Sequence, residues 1–219
     1  MPPVNNAPLD INEFKEIVRR ESVRLRKIAD PAKHEDEYTM ALAVAAAVKK
    51  IFYEKSATKF SGEPALEKKI VTQFVSRMRV DAMEKFNATT VFSSVEFAAN
   101  EEALKKQEYL MTLVVYLDKQ FLPDFLRMMQ YPYIDSEDDQ EVKDGCGTLL
   151  NLIGGQYKRE MVILKHKDLA MSAFGSYINT AADGLEIPKG AVDKYEISFE
   201  IDGVKRLVVE VVPSAKIHD

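Results

Sequence analysis

The sequence predicts a two-layer α+β domain in which a largely antiparallel sheet is packed by helices. Helical periodicity dominates the first 85 residues, whereas β-branched or alternating runs recur from residue 89 onward. No regular βαβα alternation of a doubly wound sheet joins them. The chain also closes on KYEISFEI and VKRLVVEVV around Asp202-Gly203, the pair that a two-residue hairpin favours.

Taken in order, residues 1–8 are Pro- and Asn-rich and read as a disordered lead-in. Asp10 followed by Glu13 caps a first helix with the stripe Ile11, Phe14, Ile17, Val18 and Leu25, which Pro31 ends. A second helix covers about 35–54, and its small apolar middle, ALAVAAAVKKIF, suits close packing. SGEP at 61–64 marks a break, after which Pro64 opens a third helix reaching Lys85, with Leu66, Ile70, Val71, Phe74, Val75 and Met78 inward. Strands follow at 89–99 and 108–118, joined by NEEALKKQ. A short helix with Pro123 in its first turn comes next, with Phe125, Leu126 and Met129 turned inward. The acidic loop YIDSEDDQ leads into a central helix capped by Ser136, with Asp139 three residues on, and ended by Gly154-Gly155. Strands are expected at 159–165 and within 169–178 before the closing hairpin. In that hairpin Tyr195, Ile197, Phe199 and Ile201 alternate with Glu196, Ser198, Glu200 and Asp202, one face buried and one wet. Residues 1–60 thus read as a helical extension and 61–219 as the α/β domain.

Composition bounds the function. The chain has 219 residues, 46% hydrophobic and 30% charged, which describes a globular domain with a substantial core. A formal charge of -5 argues against a nucleic-acid binder. No apolar run approaches membrane-spanning length, and MPPVNNAPLD has no signal-peptide character, so a reducing cytosolic (cytoplasmic) setting is expected. Cys146 is the only cysteine, so no intramolecular disulfide forms, and its place among glycines reads as packing rather than nucleophilic. His34, His166 and His218 are far apart and make no metal motif. SEDD at 136–139, the pair Asp183 and Glu186, and KHK at 165–167 read as solvated surface or turn.

Function is sought in EVKDGCGTLLNLIGG, residues 141–155. Glu141, Asp144, Thr148 and Asn151 step by three, four and three residues. At about 100° per residue they occupy a helical sector of roughly 80°. Leu or Val would mark a core stripe there, and Lys and Glu an ordinary solvated face. Two helix-interior glycines cost roughly 2 kcal/mol relative to alanines, so Gly145 and Gly147 imply a close approach by a neighbouring element or a partner.

Over about 65–213 the chain resembles the CheC/CheX family, bacterial phosphatases of the phosphorylated chemotaxis response regulator CheY. The family's phosphatase helix carries Asp or Ser, three residues, Glu, two residues, then Asn, with an apolar and small-residue ending. Here Asp144 takes the first position, Asn151 the last, and NLIGG continues as the family does. SFEIDGVKRLVVEVV is similar to the family's closing strands. Thr148 stands where the family has Glu.

The resemblance implies that Asn151 orients water for in-line attack on a receiver's aspartyl phosphate. It implies that Asp144 and Thr148 meet the phosphorylated receiver domain. Glu141, two turns N-terminal to Thr148 on the same side, is the candidate to supply the carboxylate missing at Thr148 and to meet the receiver as well. No cofactor is bound intrinsically, since Mg²⁺ comes with the receiver. The single motif points to the CheX type, whose members are typically homodimers. Loss of the Glu keeps open a non-catalytic interaction or scaffolding module, and a third alternative is a structural homodimer with no receiver partner, formed through the edge of the final hairpin or the Ala-rich helix.

Overall fold

The computed structural model describes residues 35–56, 59–74, 77–80, 82–163, 169–179 and 184–214. The expected first helix with its Asp10 cap and Pro31 stop lies outside the described residues, as do His34, KHK at 165–167, His166, Asp183 and His218.

Helix α1 spans Glu35–Lys55. Met40–Val48 are all buried, because small side chains let this helix be enclosed on every side. Three strands follow, β1 (Ala65–Ile70), β2 (Gln73–Phe74) and β3 (Arg77–Met78), then a single turn α2 (Met83–Phe86). Strand β4 (Thr90–Ala98), the short helix α3 (Glu101–Lys105) and β5 (Tyr109–Asp118) come next. Helices α4 (Leu122–Met128) and α5 (Asp139–Ile163) precede β6 (Ala170–Met171), β7 (Gly175–Ile178) and β8 (Leu185–Glu186). The hairpin β9 (Asp193–Ile201) and β10 (Val204–Pro213) closes the sequence of elements.

The main sheet has the order β1-β9-β10-β5-β4-β6, with β7 also pairing β4. Every pairing in it is antiparallel. Asp202 and Gly203 form the hairpin turn at φ 53° and 73°, the positive angles that a two-residue turn of this kind requires. One sheet face carries Val91, Val95, Leu113, Val115, Ile197, Phe199, Leu207 and Val209, and packs against α1, α4 and α5. This is the expected two-layer core. Over the opposite face lies a smaller sheet, β2-β3-β8. Its Met78 and Leu185, with Val71, Val80 and Ile187, cover Phe92, Val114, Tyr116, Val208 and Val212.

That second face holds a buried ionic network. Lys85 donates to Glu196 and, at 2.6 Å, to Glu210. Lys194 lies 2.8 Å from Glu210, Lys69 lies 2.9 Å from Glu196, and the Tyr116 hydroxyl donates to Glu210 at 2.7 Å. Burial alone would raise the Glu210 carboxyl, but Lys85 and Lys194 outweigh it and hold its pKa below the usual value. Glu196 behaves likewise under Lys69 and Lys85. Burial would lower Lys85, and the two carboxylates reverse that, so its pKa is raised.

Several expectations are corrected here. The helix expected over 64–85 is replaced by three strands and the start of a single helical turn. Its first part pairs in register with β9, Leu66 opposite Ile197 and Lys68 opposite Tyr195, and this pairing overrides the helical propensity of ALEKK. Ile70, expected inside, is 75% exposed. The wet face of β9 is wet only in part, since Glu196 is buried in the ionic network. The final hairpin has no free edge, because β1 flanks β9 and β5 flanks β10.

Candidate functional site: the outer face of a helix

Helix α5 starts at Asp139, and its cap is Asp138 rather than Ser136. The Asp138 carboxylate accepts from the backbone N–H groups of Gln140 at 2.8 Å and Glu141 at 3.1 Å. Ser136 instead donates to Gln120 at 3.3 Å. A carboxylate accepts two orphan N–H groups and favours the positive helix end, so the nearer aspartate takes the role. Asp139 pairs with Lys119 at 2.8 Å, and that hydrogen bond holds its carboxyl below the usual range.

The helix continues through Gly154 and Gly155 to Ile163, so the expected stop and the strand expected from 159 are both corrected. Gly154 is a packing position. A Cβ there would lie 2.8 Å from the Met171 sulfur and 3.3 Å from Phe97. Tyr157 and Met161 beyond it are buried in the main core, and that burial sustains the extra turns.

Val142, Cys146, Leu149, Leu150 and Ile153 form the inward side of α5. Burial pushes the Cys146 thiol up to about 12, so it is a packing group without nucleophilic character. The outward side carries the predicted row. Glu141, Asp144 and Asn151 are exposed and Thr148 is half-buried. The four residues therefore share one accessible face.

Their side chains differ in how free they are. Glu141 Oε2 accepts from the Asp135 backbone N–H at 2.8 Å, which fixes the entry of the acidic loop. Asp144 accepts from Gln140 at 3.0 Å. The Asn151 amide has no hydrogen-bond partner among the described residues. It presents one acceptor and two donor hydrogens from the middle of a long helix.

The two glycines beside the row have intramolecular partners. A Cβ on Gly145 would meet Leu126 at 2.8 Å and Ile134 at 3.0 Å. A Cβ on Gly147 would stand 2.1 Å from Cε2 of Phe174, so that ring lies directly on the helix backbone. Phe174 sits 27 positions downstream of Gly147, and no local spacing rule in the sequence pairs the two. The same ring lines a cavity of about 310 Å³ with Arg77, Glu96, Tyr177 and Glu186. Burial, reinforced by Glu186, raises the Glu96 carboxyl, although the Ser172 hydroxyl donates to it at 2.6 Å. Among the described residues no three His, Cys, Asp or Glu side chains group as metal ligands. No described helix is long and apolar enough to cross a membrane.

Solved structures share this architecture. A CheC-like superfamily protein from Shewanella sp. PV-4 superposes with a TM-score of 0.53 at 10% identity, covering 79% of this chain and 96% of that one. The chain has the CheC/CheX-type fold. Chemotaxis protein CheX from Vibrio vulnificus gives a TM-score of 0.51 at 11% identity, over 78% of this chain and 95% of the other. A putative chemotaxis protein from Desulfovibrio vulgaris Hildenborough gives 0.50 at 15% identity, over 78% and 94%. No family model matches the sequence, and no curated protein matches it either. The CheC/CheX-type likeness is therefore one of architecture.

Proposed function

We propose that this protein docks the outer face of α5 onto a phosphorylated receiver domain and promotes hydrolysis of its aspartyl phosphate, with Asn151 as the catalytic group. The single observation that carries this reading is the free, exposed Asn151 amide, placed on a packed helix in a CheC/CheX-type fold. Its carbonyl oxygen would accept a hydrogen bond from a water molecule and fix that water's lone pair toward phosphorus. The water oxygen forms the new P–O bond as the bond to the aspartyl oxygen breaks. The products are the receiver's free aspartate and inorganic phosphate. Such a reaction depends mainly on positioning and charge stabilisation, so one well-held amide can contribute much. The divalent ion that neutralises the phosphoryl oxygens belongs to the receiver. Asp144 and Thr148 lie one to two turns before Asn151 on the same face and would meet the receiver beside the reacting group.

A second reading is binding without catalysis. The observation favouring it is Thr148, whose uncharged side chain cannot form an ion pair with a partner cation. Glu141 is a poor substitute, with one oxygen committed to the Asp135 N–H and a displacement of about 10 Å along the helix. The test is the decay of receiver aspartyl phosphate with and without the protein. Faster decay supports hydrolysis. Complex formation with unchanged decay supports the binding reading.

A further inference from the structure

Phe174 is 37% exposed, yet it is not a loosely placed surface residue. Its ring is seated on Gly147, where no other residue leaves room for it. A glycine in a helix interior is destabilising by roughly 1 kcal/mol relative to alanine, so the seat has a cost. The segment that carries the ring is pinned on both sides. The Ser172 backbone N–H donates to the Glu96 carbonyl at 3.0 Å, and the Glu96 N–H donates to the Ser172 hydroxyl oxygen at 3.0 Å. The Ser172 hydroxyl donates to the Glu96 carboxylate at 2.6 Å. Strand β7 begins at the next residue and pairs with β4.

The ring's position relative to the row follows from helical geometry. Gly147 lies about 40° around the helix from Asn151 and about 60° from Asp144. Phe174 therefore borders the polar row on one flank, rigid and apolar. The opposite end of the same face is strongly acidic, with Asp135, Glu137, Asp138, Asp139, Glu141 and Asp144 all exposed. A complementary partner would present a small apolar spot next to a basic rim, with its reacting group over Asn151. Pre-ordered aromatic anchors ringed by polar contacts are where interface energy concentrates.

We propose that Phe174, held on α5 by Gly147 and pinned by Ser172, is the affinity anchor for the receiver that docks beside Asn151. This rests on the functional reading above and assigns Phe174 a binding role, with no contact to the reacting phosphoryl group.

The experiment measures receiver binding and phosphate decay for the wild type, Phe174→Ala, Phe174→Leu and Gly147→Ala, using receiver domains phosphorylated by a small-molecule phosphodonor. Phe174→Ala is expected to weaken receiver binding and raise KM roughly ten-fold, with kcat unchanged within about two-fold. Phe174→Leu should recover much of that loss. Gly147→Ala, which must displace the ring, should shift KM in the same direction as Phe174→Ala. Thermal unfolding of each variant controls for loss of fold. Equal receiver affinity in the wild type and folded Phe174→Ala overturns the anchor while leaving the functional reading intact. A fall in kcat with unchanged KM also overturns it. Absence of any receiver binding by the wild type overturns the functional reading, and the anchor with it.

Discussion

At the residue scale, four side chains of α5 share one face and differ in how free they are. The row Glu141, Asp144, Thr148 and Asn151 was readable from the helical period, and all four residues share the outward face. What each side chain does was not readable, because it depends on neighbours outside the helix's own repeat. Glu141 is partly committed to the preceding loop, whereas Asn151 is free among the described residues. Gly145 and Gly147 advertised a close approach, but Leu126, Ile134 and Phe174, the groups that approach, are supplied by other elements. Thr148→Glu places a longer, charged side chain on a half-buried surface site beside Asn151. It is expected to tighten receiver binding and to speed phosphate decay several-fold, with a steeper salt dependence than that of the wild type. Titrations at two ionic strengths check this, and an unchanged affinity would count against a cation facing position 148.

At the element scale, strands with strong periodicity or turn chemistry were legible, and elements set by partners were not. The hairpin around Asp202-Gly203, β4 and β5 fall where alternation and β-branched runs put them. The sequence of β1, ALEKKI, has helical propensity, and only pairing with β9 makes it a strand. Helix α5 was expected to stop at two glycines, but it runs through both, and only one of them has a packing reason. Gly154 is required by Met171 and Phe97, whereas a Cβ on Gly155 would have nothing within 4 Å. Gly155 therefore carries the entropic penalty of glycine in a helix without a packing reason. Gly155→Ala is expected to stabilise the protein by about 0.5–1 kcal/mol, seen as a rise in Tm of a few degrees. A lowered Tm would mean that α5 is not a continuous helix through this position.

At the scale of the whole molecule, two cores sit on opposite faces of one sheet, and only the first was foreseen. The second face is closed by the small sheet and by Lys85, Lys194, Glu196, Glu210 and Tyr116, which come from α2, β5 and the hairpin. Nothing in their local spacing joins Lys85 to Glu210, 125 positions away. Truncating Glu210 leaves buried cations without their partner, so Glu210→Ala is expected to destabilise the fold by roughly 3–5 kcal/mol, measured by denaturant unfolding. The linkage to pH has a definite sign. Glu196 and Glu210 have depressed folded-state values, so their contribution is complete above the unfolded carboxylate pKa of about 4.3 and is lost as pH falls through the folded values. Lys85 is raised, so its share is complete below about 10.4 and is lost as pH rises through its folded value. The network supports the sheet from behind while α5 presents its row in front, and the central claim concerns that row. The most direct test follows aspartyl-phosphate decay on a cognate receiver with wild-type protein and with Asn151→Ala. Acceleration is expected with the wild type, and its loss, by about 100-fold or down to the receiver's own rate, in a variant that still binds and folds. Acceleration that survives in Asn151→Ala would contradict the central claim.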